Sequence, residues 1–189
     1  MSSISAGTIL YHGSDKMIRF PKVQPKREGI TSDFGQGVYL TLTYRRARDW
    51  ANKRARQAKI QSGYISSFRL KKSINSSAKI KIFEGYSAEW IEFIRACRMD
   101  RDNSIYEIVV GNVADARTYD LIKAYEKGLI YQDRNKGESV DFSRLSDKDK
   151  MKELLRLIAF EDSFIQVCFR TDDAIKEYLA FDTSRASTN

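Results

Sequence analysis

The sequence predicts a mixed α+β fold, on three observations. Strand-like and helix-like stretches succeed one another irregularly, without regular strand–helix–strand alternation. Several stretches carry apolar stripes at helical spacing, while others alternate or run apolar as strands do. The chain has 189 residues, 42% hydrophobic and 12% aromatic, with only two prolines and ten glycines. That is enough for one domain with a real core, and no Pro/Gly-rich linker divides it.

Thr8 to Tyr11 is a β-prone run ending at His12-Gly13-Ser14, followed by a long loop from Asp15 to about Gly35 that holds Pro21 and Pro25. Gly35-Gln36-Gly37-Val38-Tyr39-Leu40-Thr41 is a glycine-flanked strand. Thr43 is the expected cap of a helix from Tyr44 to about Ile60, with Ala47, Trp50, Ala51, Arg54 and Ala58 on its inner face. Gly63 to Leu70 and Lys79 to Phe83 are expected strands, and Ser87 to Cys97 a helix with Trp90, Phe93, Ile94 and Cys97 on one side. A strand over Ile105 to Val110 and a helix over Val113 to Lys127, stopped at Gly128, come next. Ser146 caps a helix striped by Met151, Leu154, Leu155 and Ile158. Phe164 to Phe169 is a strand, and Thr171 or Asp172 caps the last helix. The chain is expected to be a single domain over 1–189, with a helical elaboration at about 87–160 and a disordered polar tail at 182–189. No internal repeat is found.

The net charge is +8 and the pI about 9.4, a balance that attracts nucleic acid, nucleotides or an acidic partner. Arg45, Arg46, Arg48, Lys53, Arg56 and Lys59 crowd one helix. The ordinary meaning is a solvated surface, and the sharper one a landing strip for phosphates. The polar start, Met1 to Ala6, lacks the apolar run of a signal peptide. No stretch approaches the roughly 18 apolar residues of a membrane span. A soluble, cytoplasmic protein with no membrane partner is the expectation. Cys97 and Cys168 fit no disulfide framework.

Several chemistries are excluded. The single histidine, His12, leaves no ligand set for zinc. Cys168 lies in an apolar strand, which disfavours a Cys168–His12 nucleophilic pair. There is no Walker-type loop and no GxGxxG after a strand.

Three polar residues at strands stand out. His12 ends the first strand beside a glycine, Tyr39 follows two glycines, and Gln166 interrupts Phe164-Ile165-Gln166-Val167-Cys168-Phe169. A buried, unpaired amide costs roughly 1–3 kcal/mol, so Gln166 requires a partner or a ligand. Each residue taken singly has a structural explanation: a hydrogen-bonded His, a core Tyr with a wet hydroxyl, a Gln paired to a loop.

Taken in order, Tyr11-His12-Gly13-Ser14, then Asp33-Phe34-Gly35-Gln36-Gly37-Val38-Tyr39-Leu40-Thr41, then Ala47-x-x-Trp50-Ala51, resemble the start of an ADP-ribosyltransferase domain of the His-Tyr-acid/amide class. Diphtheria toxin and the poly-ADP-ribose polymerases belong to that class. More narrowly, the chain resembles small bacterial ADP-ribosyltransferase-like proteins, on two later stretches. These are Tyr106-Glu107-Ile108-Val109-Val110-Gly111-Asn112-Val113-Ala114-Asp115 and Ile165-Gln166-Val167-Cys168-Phe169-Arg170-Thr171, followed by Ala174 and Leu179. The resemblance covers about residues 8 to 181. It implies a split β-sheet core with flanking helices and a helical insertion, and NAD⁺ as co-substrate.

The same resemblance implies the site. His12 would bond a ribose hydroxyl, Gly13 would offer its backbone to the nicotinamide carboxamide, and Tyr39 would stack on the ring. Gln166 would stand at the third catalytic position, where the polymerases have Glu. Ser14, Arg27 and Tyr44 join the expected NAD⁺-binding residues. The basic loop of Arg19, Lys22, Lys26 and Arg27 has two readings, contact with the pyrophosphate or an acidic target and a solvated surface, while Tyr44, Arg45 and Arg46 open the helix near the Tyr39 strand end. Gln can hydrogen-bond but cannot be a general base, which favours transfer of a single ADP-ribose over chain elongation. Glu161, Asp162 or the target itself remain open as the base.

The function expected is therefore a mono-ADP-ribosyltransferase, the toxin of a toxin–antitoxin or phage-defence system. Its target is RNA or DNA in preference to protein, and a cognate antitoxin is its implied partner. Two alternatives are a non-catalytic basic nucleic-acid-binding protein and an NAD-binding pseudo-transferase. No RRM, KH or helix-turn-helix signature accompanies the charge.

Overall fold

The computed structural model describes residues 3–25, 32–114, 116–133, 137–158 and 164–187. In chain order the elements are β1 (Ser3–Ile4), β2 (Ile9–Ser14), β3 (Val38–Thr41), α1 (Tyr44–Ala58), β4 (Tyr64–Leu70), β5 (Ile74–Asn75), β6 (Ile80–Ile82) and α2 (Ala88–Arg98). There follow β7 (Ile108–Asn112), α3 (Ala116–Lys127), β8 (Ile130–Asp133), β9 (Glu138–Asp141), a 3₁₀ turn (Phe142–Arg144), α4 (Asp147–Ile158), β10 (Ile165–Phe169), α5 (Asp172–Tyr178) and β11 (Leu179–Ala186). The fold is α+β, as expected. Seven strands form one sheet in the order β11-β4-β2-β3-β10-β7-β6. All its neighbours are antiparallel except β6 and β7. No helix among the described residues is long and apolar enough to cross a membrane.

Strand alternation sorts the core into two sides. Leu10, Val38, Leu40, Phe68, Val110, Val167 and Phe169 point to the side covered by Ala174 and Ile175 of α5. Val109 and Cys168 point the other way, into a cluster with Phe34, Trp90 and Ile94 of α2, Leu121 of α3 and Leu154 and Leu157 of α4. Two expected caps are seen: Ser146 accepts from Asp149 N at 3.2 Å, and Thr171 accepts from Ala174 N at 3.1 Å. Ser87 caps α2 in the same way, accepting from Trp90 N at 3.1 Å.

Helix α1 is set on the sheet by three small residues. Ala47, Ala51 and Ala55, at spacing four, are its buried positions. Gly13 lets it come this close, since a Cβ there would lie 2.0 Å from the Ala47 carbonyl oxygen and 2.8 Å from Ala51 N. The closeness of that approach corrects the expected inner face. Trp50 is turned outward and 51% exposed, and Arg54 and Ala58 are exposed too. A contact between a helix and a glycine-bearing strand admits only the narrow alanine row and leaves no depth for an indole. Thr43 stands at the N-cap position of α1, but its side chain makes no capping bond. Its main-chain N–H instead donates to the Thr41 hydroxyl at 3.2 Å.

Two other expectations are corrected. Residues 182–186 are no disordered tail: β11 pairs with β4 from Leu179↔Leu70 to Ala186↔Tyr64, with an irregularity between Phe181 and Thr183. An edge strand has one side in water, so its polar residues carry no apolar pattern, and β4 supplies the register. Phe181 adds an edge-to-face contact with Phe68, centroids 6.0 Å apart. In the 87–160 stretch the strand expected over Ile105–Val110 lies instead at Ile108–Asn112, wholly buried in the main sheet, and Ile105 is exposed; β8 and β9 add a separate hairpin that the pattern does not predict.

Gly13→Ala is expected to lower stability by about 1–3 kcal/mol, because α1 must lift off the sheet to admit the methyl group. Urea unfolding of the two proteins measures this, and an unchanged midpoint would show that α1 is not seated on Gly13.

Candidate active site

The ladder between β2 and β3 is interrupted, and the site lies at that interruption. On β4, Lys71 N donates to Tyr178 O at 2.8 Å and Ser187 N donates to Gly63 O at 2.8 Å. The main-chain groups of Ile65, Ser67 and Arg69 are therefore directed to β11, and those of Tyr64, Ser66 and Phe68 to β2. Leu70 N donating to Thr8 O at 2.9 Å agrees with this. The partners of the second set, Leu10, His12 and Ser14, are engaged by β4. Ile9, Tyr11 and Gly13 thus aim their N–H and C=O groups at β3. Yet β2 and β3 pair only at Tyr11↔Thr41. One step further, where Gly13 would face Tyr39, a side chain has taken over: His12 Nδ1 lies 2.8 Å from the Tyr39 carbonyl oxygen.

That bond settles the state of the imidazole. A carbonyl oxygen only accepts, so Nδ1 carries the proton and donates. Burial holds the His12 pKa below its usual 6.5, with only partial opposition from the bond to Tyr39, while the nearby Arg54 guanidinium also lowers it. The ring is accordingly neutral at pH 7, and Nε2 offers a lone pair. His12 can accept a hydrogen bond from a hydroxyl but is no acid.

Tyr39 is fixed at both ends. Its hydroxyl donates to Gly35 O at 2.6 Å and accepts from Phe34 N at 2.9 Å. Burial pushes its phenol well above the ordinary value, so it stays neutral. The hydroxyl also fastens the 33–37 loop to β3. Tyr39 pairs with Cys168 and Thr41 with Gln166 across the β3–β10 ladder. Tyr39 and Gln166 therefore share one side of the sheet, diagonal to each other on adjacent strands.

Gln166 has the partner that its burial requires. Its Nε2 donates to Asp33 Oδ2 at 3.1 Å. A carboxylate can only accept, so the amide presents nitrogen to Asp33 and its Oε1 is turned away from that carboxylate. Asp33 is itself 9% exposed and bound on every side: Oδ2 accepts from Ala114 N at 2.8 Å, and Oδ1 accepts from Arg98 Nε at 3.1 Å and from Arg98 Nη2. This residue is the one that reasoning from sequence misses. An acid in a polar loop gives no sign that it will be buried. The signal that points to it is Gln166, whose need for a partner is evident.

The remaining expected residues are less central. Ser14 is buried, with its hydroxyl donating to Asp15 Oδ1 at 3.2 Å and accepting from Lys16 N at 3.3 Å. Tyr44 opens α1 and is exposed, edge-on to Tyr11 at 5.5 Å. These two tyrosines line a shallow depression with Ile65, Ser67 and Arg185. Arg27, Lys26, Glu161 and Asp162 lie outside the described residues. Cys168 is fully buried, and burial pushes its thiol up to about 12, so it is no nucleophile. No group of three or more potential metal ligands occurs among the described residues.

Residues 8–181 match the family described as "Protein of unknown function (DUF3990)", and the chain belongs to that family. No curated protein matches the chain.

Two outcomes test this geometry. Asp33→Ala is expected to destabilise by about 3–5 kcal/mol, because it removes at once the acceptor shared by Ala114 N, the Gln166 amide and the part-buried Arg98 guanidinium. Gln166→Ala, which removes a donor from an already satisfied carboxylate, should cost less, about 1–3 kcal/mol; equal losses in urea unfolding would contradict the Asp33 hub. The second outcome concerns pH. A histidine whose folded pKa lies below its unfolded value gives its full stabilisation above about pH 6.5 and loses it as pH falls through the folded pKa. Wild-type stability should therefore fall between pH 7 and pH 5 more steeply than that of His12→Gln, and parallel profiles would show that His12 is not held neutral.

Proposed function

We propose that this chain is an NAD⁺-dependent mono-ADP-ribosyltransferase of the His-Tyr-[Glu/Gln] kind, working on a nucleic-acid acceptor. The observation that carries the reading is the interrupted β2–β3 ladder, with His12 clamped to Tyr39 and the Gly13 main chain directed into the gap. A carboxamide presents one acceptor and one donor side by side. Gly13 presents a donor and an acceptor from a single residue, the complementary pair. The neutral His12 Nε2 suits a ribose hydroxyl, and the Tyr39 ring offers an apolar face beside the gap.

In the reaction the bond between the ribose anomeric carbon and nicotinamide breaks, and its electron pair leaves with nicotinamide. An acceptor heteroatom then bonds that carbon and passes its proton to a base or to solvent. The contribution of the protein is orientation and electrostatic preorganisation. Gln166 supports this with a neutral amide oxygen, Asp33 fixing which end of the amide faces the gap. Asp33 is not itself the base: its oxygens are occupied by Gln166, Ala114 and Arg98. None of these described residues is a base, which leaves that part to Glu161, Asp162 or the acceptor itself. Such a site suits one transfer per acceptor rather than polymer growth.

The net charge of +8 supports a polyanionic acceptor, RNA or DNA. A cytoplasmic toxin role, with a cognate antitoxin as partner in a toxin–antitoxin or phage-defence pair, follows from the sequence resemblance alone.

The deciding experiment incubates the protein with labelled NAD⁺ and a cell lysate, then digests the products separately with nuclease and protease. Wild type should release nicotinamide and transfer label that nuclease destroys. His12→Ala and Tyr39→Ala should each reduce both signals by on the order of 100-fold. Nicotinamide release with label removed only by protease would move the acceptor to protein. Folded protein that is stabilised by NAD⁺ but releases no nicotinamide would be a pseudo-transferase, and no response to NAD⁺ at all would end the reading.

A further inference from the structure

We propose that the outer face of α1 is a docking surface for single-stranded nucleic acid, with Trp50 as its stacking platform. The proposal deepens the acceptor part of the reading above, but it stands on α1 and is tested without NAD⁺.

The first observation is charge. Helix α1 carries Arg45, Arg46, Arg48, Lys53, Arg54 and Arg56 against a single acid, Asp49, and so holds most of the net +8 of the chain. Its first turn contains no acid and two arginines, Arg45 and Arg46. This arrangement opposes the helix macrodipole, which favours anions at that end. Ion pairs such as Arg48–Asp49 at 3.3 Å and Arg54–Asp15 at 3.7 Å relieve the helix only slightly, each joining substantially exposed side chains. A helix with this imbalance is stabilised by any polyanion laid along it.

The second observation is Trp50. The chain has two tryptophans, and they are opposites. Trp90 is fully buried with its indole N–H donating to Asn112 O, while Trp50 is half exposed on the water-facing side of α1. Lys53 Nζ lies 4.8 Å from the Trp50 ring centroid, and Arg46 and Arg54 flank it one helical turn away on either side. A flat aromatic face set among cations matches a base and its neighbouring phosphates. An acidic peptide would satisfy the cations and leave the indole uncovered. A duplex would meet the cations but keep its bases stacked on each other.

The third observation is position. Helix α1 begins at Tyr44, three residues beyond Thr41, where the β2–β3 ladder ends, and it lies across Gly13. The Arg46 guanidinium sits 4.4 Å from the centroid of the Phe164 ring, two residues from Gln166. A strand lying along α1 is thereby led to the gap that holds the candidate site.

The test titrates the full chain with a short labelled single-stranded RNA and with the duplex of the same sequence, following anisotropy and tryptophan emission. Trp50 is the exposed reporter and Trp90 the shielded one. The single strand should bind more tightly than the duplex and quench tryptophan emission. K53Q/R56Q/K59Q should weaken binding about tenfold or more, with the salt slope falling by about one for each phosphate that is no longer neutralised. Trp50→Ala should lower affinity for the single strand and change that for the duplex little. These positions are exposed, and unchanged melting temperatures verify that the variants fold. Wild-type affinity in the triple variant, or unquenched emission at saturation, overturns the proposal. Equal affinity for poly-glutamate overturns it as well and assigns the face to an acidic protein. Nicotinamide release from NAD⁺ is scored separately: release without RNA binding refutes only the docking surface, and RNA binding without release refutes only the transferase.

Discussion

Much of the arrangement depends on one hydrogen bond between a side chain and a main chain, from His12 to the carbonyl of Tyr39. Two antiparallel strands that meet in register ordinarily continue pairing, because each additional residue satisfies a donor and an acceptor. Here the ladder stops after a single pair, and the imidazole supplies the bond that Tyr39 would otherwise lack. The gap is therefore not an unsatisfied defect at Tyr39. It is held open at a satisfied carbonyl, beside a neutral imidazole and a glycine main chain.

The opposite wall is fixed by a different principle. Asp33 gathers Gln166 from β10, Arg98 from α2 and Ala114 from the segment between β7 and α3. A carboxylate with little water around it must be met by donors on all sides, or it costs several kcal/mol. Three separate elements meet that requirement at once, so the hub both locates the 33–37 loop and sets the orientation of the Gln166 amide. Tyr39 closes the same loop from β3 through its hydroxyl. Neither side chain is free to adjust independently of the other.

These two couplings differ in how far the sequence reveals them. Gln166 is conspicuous because a polar residue in an apolar strand must be paired, but the identity of its partner depends on where the chain places Asp33. The interrupted ladder is a matter of register between strands 27 residues apart, which no local pattern encodes. The helical core is legible from periodicity, since Trp90, Ile94, Leu154 and Ile158 are buried where the stripes put them, whereas β7 is buried on both faces and shows no alternation. β11 is hidden because an edge strand does not need an apolar face. Trp50 is misplaced by the pattern because apolar spacing counts an indole as core, whereas the close approach permitted by Gly13 excludes it.

That last misplacement bears on how stability and function are divided in α1. Its buried side is three alanines, which contribute little apolar area for a helix of fifteen residues. Its outer side adds a row of like charges, and its first turn sets two arginines against the helix dipole, at a cost of about 0.3–1 kcal/mol each in exposed positions. A segment selected for stability alone would carry acids in that first turn and an apolar residue larger than alanine beneath. The sequence instead keeps the helix thin enough to lie over Gly13 and positive enough to attract an anion. Both choices weaken the isolated helix, so α1 depends on its seat over Gly13, and its outer row of cations gains from any anion laid against it.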